Sequence, residues 1–197
     1  MDRLPTLTVA MLALALVASC DKGQATPPAS RAEGAKVRAV QKASTEAFCD
    51  VHKADDSGPA LALPALGEVK IAAKPGSWTW LNIWATWCKP CVEELPRVVQ
   101  WRDKLAKAGT HLELAFVSVD EDDATVAAFQ QAHPGSPVTA RLADPKTQSD
   151  WFKQLGLDAA PPIPIHVFVS PTGHVRCARA GSIREQDYAA IELLLAE

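Results

Sequence analysis

"SWTWLNIWATWCKPCVEELP" runs from Ser77 to Pro96, and its two halves read differently. From Trp78 to Ala85 the stretch is β-branched and aromatic, nearly continuous in apolar character and of strand length, the pattern of a central strand buried on both faces. Beyond it, Val92, Leu95, Val98 or Val99, Trp101 or Arg102, and Leu105 recur at helical spacing, with Gly109 as the stop. Pro96 lies inside that period and predicts a kink, because the apolar pattern resumes behind it. At the junction of strand and helix stand Cys88 and Cys91, separated only by Lys89 and Pro90.

A cysteine in that position meets three effects that favour thiolate. The helix N-terminus carries partial positive charge, its first N–H groups lack partners, and Lys89 adds a cation. Pro90 suits the first turn, where its missing N–H costs nothing. Cys88 is therefore the expected nucleophile, with Lys89 and Pro90 tuning it. Cys91 lies one turn deeper and is the expected resolving partner, closing an internal disulfide after Cys88 has formed a mixed one. Other uses of the pair fit less well. A zinc site needs two more ligands, and His111, His133, His166 and His174 show no paired spacing, so neither a metal nor any other cofactor is expected. A staple across two residues closes too short a loop to stabilise much. A peroxidatic cysteine is disfavoured by the resolving cysteine in the same turn.

Downstream, "HLELAFVSVD" reads as a second buried strand, and "EDDATVAAFQQAH" as a helix whose acidic start, including Asp120 to Asp123, is a charged loop and helix N-terminus. "SPVTARLAD" reads as a short edge strand and "KTQSDWFKQLGL" as a helix ended by Gly156. "IHVFVSPTGHVRCARAG" gives two strands around a Pro-Thr-Gly turn, and "REQDYAAIELLLAE" a closing amphipathic helix. The order implies an α/β fold: a central mixed β-sheet with helices on both faces. Trp84 belongs to the core of the first strand, Trp87 to a docking surface over the cysteines, and His166, alone on a strand, to the structural interior.

The chain has 197 residues, of which 48% are hydrophobic, enough for one well-buried core. A formal net charge of −3, with no basic stripe, excludes nucleic acid as an expected partner. A monomer is expected. The first residues have the form of an export leader: Arg3, the apolar run "LTVAMLALALVAS", then Cys20. Val17-Ala18-Ser19-Cys20 resembles a bacterial lipobox, in which the cysteine is lipidated. Residues 1–20 are thus expected to be a lipoprotein signal peptide, 21–58 a tether rich in Ala, Pro, Ser and Lys, and 59–197 the folded domain. Five cysteines less Cys20 leave an even set, and with Cys88 and Cys91 paired, Cys49 and Cys177 are the expected structural disulfide of an exported protein.

"WCKPC" at a strand-to-helix junction, followed by "EELP", resembles the thioredoxin superfamily, specifically its exported TlpA and ResA branch, over residues 59–197. The resemblance implies a thioredoxin-like fold with an inserted helix and strand, where "DDATVAAFQQAHPGSPVTARL" stands here. It implies a cis-proline facing the cysteines, and the register of "PIHVFVSPTG" selects Pro164 over Pro161 and Pro162, with Ile163 offering its backbone to a substrate strand. Ile165 and His166 depart from the small hydroxyl residues usual there. The family has a functional acid at Glu94, on the helix face of Cys91, where it can accept the resolving thiol's proton; Glu93 is read as helix N-terminal charge. The implied activity is extracytoplasmic reduction of protein disulfides, fed by a membrane thiol-disulfide electron donor, with apocytochrome c cysteines among the clients. A copper chaperone on the same fold, or an adaptor domain with an idle disulfide, are the competing expectations.

Overall fold

The computed structural model describes residues 43–197, so the expected leader, the lipidated Cys20 and the tether up to residue 42 lie outside the described residues. Strand β2 (Trp78–Trp84) is buried at all seven positions, which requires cover on both faces of the sheet. It is a central strand, parallel to β3 (Leu112–Ser118) on one side and antiparallel to β5 (Ile165–Val169) on the other. With β1 (Val51–His52), β4 (Ala140–Arg141) and β6 (Val175–Ala180) they form a six-stranded mixed sheet in the order β1-β6-β5-β2-β3-β4.

Helix α2 (Lys89–Lys107) follows β2 after a short turn and carries Pro96 within it, on an exposed position, as the resumed apolar period predicts. The insertion supplies α3 (Asp123–Ala132) and the two-residue edge strand β4. Asp122 caps α3, its Oδ1 accepting the Thr125 N–H at 2.7 Å, and this bond holds its carboxyl below the usual carboxylate range. Arg141 of β4 reaches back to Asp123 at 3.0 Å, which fastens the inserted helix to the inserted strand. Helix α4 (Gln148–Gln154) stops short of Gly156, whose φ of +83° suits glycine. β5 and β6 turn over at Pro171-Thr172-Gly173, and α5 (Tyr188–Leu194) closes the chain with Tyr188 packed edge-on against Trp101 of α2.

The expected domain boundary at residue 59 falls too late. Residues 45–48 form a short helix, α1, whose Phe48 is buried, and β1 adds an edge to the sheet by pairing Val51 with Ala178 and His52 with Cys177. From β6, the guanidinium of Arg176 donates to the carbonyls of Lys53 and Ala54 and pairs with Glu197, which fastens this segment to the sheet. The reason is local: "TEAFCDVH" carries two apolar anchors and a cysteine inside a segment whose average composition is tether-like. The expected disulfide between Cys49 and Cys177 is present and joins this segment to β6.

That bond spans 128 residues of chain. Replacing both Cys49 and Cys177 by Ala is expected to lower unfolding free energy by about 5 kcal/mol in the chain-entropy model, read as a lower urea midpoint, with the Cys88–Cys91 couple still able to oxidise and reduce.

Candidate active site

Cys88 is the N-cap of α2, and its sulfur accepts the backbone N–H of Cys91 at 3.3 Å. The helix end therefore does point a free donor at this sulfur, the arrangement that lowers a cysteine's proton affinity once the pair is reduced. Cys88 and Cys91 are disulfide-bonded, with Cα atoms 5.2 Å apart. Cys91 is fully buried whereas Cys88 retains 5% exposure at the surface, so only one of the two sulfurs can be met from outside. Pro90 occupies the first turn as expected. Lys89 behaves differently from the expectation: its side chain is 85% exposed and its ammonium lies 3.7 Å from Glu93, so it acts on the sulfur only as a solvated surface charge.

The loop that presents the cysteines is fixed from below. Asp120, expected as part of a charged loop, is only 1% exposed. Its two oxygens accept the backbone N–H of Thr86 at 3.0 Å and the Thr86 hydroxyl at 2.7 Å, and Ser118 donates to the same carboxylate. A buried carboxylate with three donors is satisfied, and the two bonds from Thr86 restrain the residue two positions before Cys88. Asp122 and Asp123 follow the expected helix-start reading; Asp120 departs from it because the end of β3 runs beside the end of β2, a neighbourhood set by strand pairing.

Opposite the cysteines, the Ile163–Pro164 bond is cis. Pro164 is thus the landmark proline, and the carbonyl oxygen of Ile163 lies 3.8 Å from the Cys88 sulfur. Trp87 is 69% exposed beside them, while Trp84 is wholly buried against Phe129. Trp87, Pro90, Val119, Pro161, Pro162 and Ile163 line a groove of about 540 Å³ that opens onto Cys88. Its walls are mainly apolar, and the free backbone edge at Ile163 suits an extended chain.

Glu94 lies on the buried face of α2 and Glu93 on the exposed one, as the helix-face argument predicts. Asn82 of β2 donates to Glu94 Oε1 at 3.1 Å, and the backbone N–H of Ile183 donates to Oε2 at 3.1 Å. His166 of β5, expected as a bland interior histidine, places Nε2 3.1 Å from Glu94 Oε1. Asn82 and His166 are direct cross-strand partners, which is why they meet there. Sequence alone carried no signal for this, since the pairing of β2 with β5 joins positions more than eighty residues apart. Among the described residues no cluster of three or more His, Cys, Asp or Glu is placed to hold a metal ion.

A six-stranded mixed sheet, a Cys-Lys-Pro-Cys pair capping a helix and a cis-proline across from it define a thioredoxin-like protein with a dithiol-disulfide site. The chain belongs to the AhpC/TSA family, whose model matches residues 54–178. It is 26% identical over 108 residues to the thiol-disulfide oxidoreductase ResA of Bacillus thuringiensis (strain Al Hakam), covering 55% of this chain and 57% of that protein. Against ResA of Oceanobacillus iheyensis identity is 24% over 131 residues, with 64% of each chain covered. The chain thus spans somewhat over half the length of these curated relatives. The crystal structure of a protein assigned as the thiol:disulfide interchange protein DsbE of Chlorobium tepidum superposes with a TM-score of 0.54 at 26% identity, covering 74% of this chain and 97% of that one. A thioredoxin-like protein solved in its oxidised form shares the fold, with a TM-score of 0.53 at 18% identity.

Asp120→Ala leaves the Thr86 and Ser118 donors without their buried partner. It is expected to cost about 1–3 kcal/mol of stability for the first unsatisfied donor, measured by urea unfolding of the oxidised protein. Asp122→Ala at the exposed cap is the comparison and is expected to cost less.

Proposed function

We propose that this protein is an extracytoplasmic thiol-disulfide oxidoreductase that reduces protein disulfides by dithiol exchange at Cys88 and Cys91. The observation that carries this is the asymmetry of the pair: one sulfur caps a helix at the floor of an apolar groove, and the other lies fully buried one turn behind it. The names of the ResA relatives and of the DsbE structure support it.

The chemistry follows from that placement. Cys88 thiolate attacks one sulfur of a client disulfide held along Ile163 and Pro164, with Trp87 as the platform; the client's S–S bond breaks and its first sulfur leaves as thiolate. Cys91 then gives its proton to Glu94 and attacks the Cys88 sulfur, forming the Cys88–Cys91 bond and expelling the client's second thiolate. The client is reduced by two electrons and the pair is oxidised by two. A membrane thiol-disulfide electron donor returns them, and apocytochrome c cysteines are one client class. No cofactor beyond the cysteine pair is needed.

Residues 1–20 are proposed as a lipoprotein leader and Cys20 as the lipidated residue that anchors a monomer on the periplasmic side of the membrane. The Cys49–Cys177 disulfide supports an oxidising compartment. The Lys-Pro dipeptide between the cysteines favours the reductant over the oxidant. The copper-chaperone alternative draws no support from His166, whose ring is turned to Trp80 and Glu94.

Cys91→Ser is expected to accumulate a mixed disulfide with a peptide client through Cys88, visible by mass spectrometry, and Cys88→Ser to accumulate none. The wild-type couple is expected near −270 mV in a glutathione titration; a value near −120 mV would make the protein an oxidant, and absence of insulin reduction at any dithiol concentration would leave an idle disulfide.

A further inference from the structure

Trp80, Asn82, Glu94 and His166 meet between β2, β5 and α2, and none of them exceeds 1% exposure. Two groups face Nδ1 of His166: the indole N–H of Trp80 at 3.1 Å and the amide Nδ2 of Asn82 at 3.4 Å. Both are donors only, so Nδ1 must present its lone pair and the ring proton resides on Nε2. That nitrogen lies 3.1 Å from Glu94 Oε1, yet off the axis of a hydrogen bond, and among the described residues it has no other partner. A buried donor is thus held unmatched against a buried carboxylate, in a core where such groups are ordinarily paired. Oδ1 of Asn82 also lacks a partner among the described residues, so the same amide can, by turning, offer Glu94 an acceptor once the acid carries a proton.

We propose that His166 is a positioning residue for the resolving step: Trp80 pins its ring so that Nε2–H steadies the Glu94 carboxylate while Glu94 takes the Cys91 proton. The inference rests on the dithiol-exchange reading above. In that step the Cys91 S–H bond breaks and its proton passes to Glu94. The freed sulfur forms the bond to Cys88, and the client sulfur leaves with the electron pair of the broken mixed disulfide. His166 loses and gains no proton. On α2 the charged group that faces it is Glu94. The guanidinium of Arg179, cross-strand from it on β6, is engaged by the Phe48 carbonyl at 2.7 Å and lies 3.8 Å from Asp187. β2 contributes the neutral Asn82 and Trp80, and the segment after β6 contributes the Ile183 N–H.

The test separates the two sulfur steps. The protein with its Cys88–Cys91 pair reduced is mixed with 5,5′-dithiobis(2-nitrobenzoate); the first release of thionitrobenzoate reports Cys88 attack and the second reports Cys91 attack, each followed from pH 5 to 9. In His166→Phe the acidic limb of the second phase is expected to move up by about one pH unit, with a rate about tenfold lower below it, the loss of an N–H dipole held 3.1 Å from the carboxylate. The first phase stays unchanged, and His166→Gln, which keeps a donor near the Nε2 position, recovers most of the second. Equal slowing of both phases, or an unmoved second profile, overturns the role. Should His166→Phe not fold, Trp80→Phe removes the nearer of the two donors at Nδ1 while leaving the imidazole, and is expected to shift the same limb in the same direction; no shift there overturns the role as well. A second phase that responds to Glu94→Gln but not to either variant sinks the His166 role alone, whereas a wild-type protein with no second phase sinks the dithiol-exchange reading and this inference with it.

Discussion

The Glu94 carboxylate is the joint on which the site turns. Through Asn82 it ties α2 to the central strand, and through the Ile183 N–H it ties α2 to the segment that follows β6. Two residues earlier in that segment, the N–H of Gly181 donates to the carbonyl of Pro164 at 2.8 Å. The helix that carries the cysteines and the loop that carries the cis-proline are therefore linked through one buried acid. A carboxylate without partners at 1% exposure would be strongly unfavourable, so the three groups that face it are as necessary to the fold as to any chemistry.

A second buried acid does comparable work on the other side of the cysteines. Asp120 holds Thr86 by both backbone and side chain, so the turn between β2 and α2 has little freedom. Between these anchors, Cys88 is left with a helix terminus as its chief electrostatic neighbour. The exposed Lys89–Glu93 pair contributes little by comparison, because water screens both charges. Burial thus sorts the acids of this region: Glu94 and Asp120 organise it, while Glu93 and Asp122 serve helix ends and the surface.

Much of this was legible in the chain. The strand at Trp78 to Trp84, the helix behind the cysteines, the inserted helix and the closing hairpin each follow from local period and turn chemistry, and they lie where the period puts them. Pro164 was legible through register with a family pattern, and Glu94 through its helix face. The start of the domain was not, since α1 and β1 are too short to show a period and are held by a disulfide and two ladder pairs. Asp120 and His166 were not either, because a lone acid at a strand end and a lone histidine within a strand look the same whether they face water or another side chain.

The sequence by itself determined that one cysteine caps a helix at the end of a buried strand and a second lies one turn inside it, and hence which sulfur is outward and which is shielded. That information is local: it needs only the spacing of two residues and the dipole of one helix. Only the tertiary structure decided what surrounds them. Pairing β2 with β3 brought Asp120 under Thr86, and pairing β2 with β5 set His166 beside Asn82 and Glu94. Those neighbours come from strands far apart in the chain, and register between strands is fixed by the packing of the whole sheet, which no single stretch of residues contains.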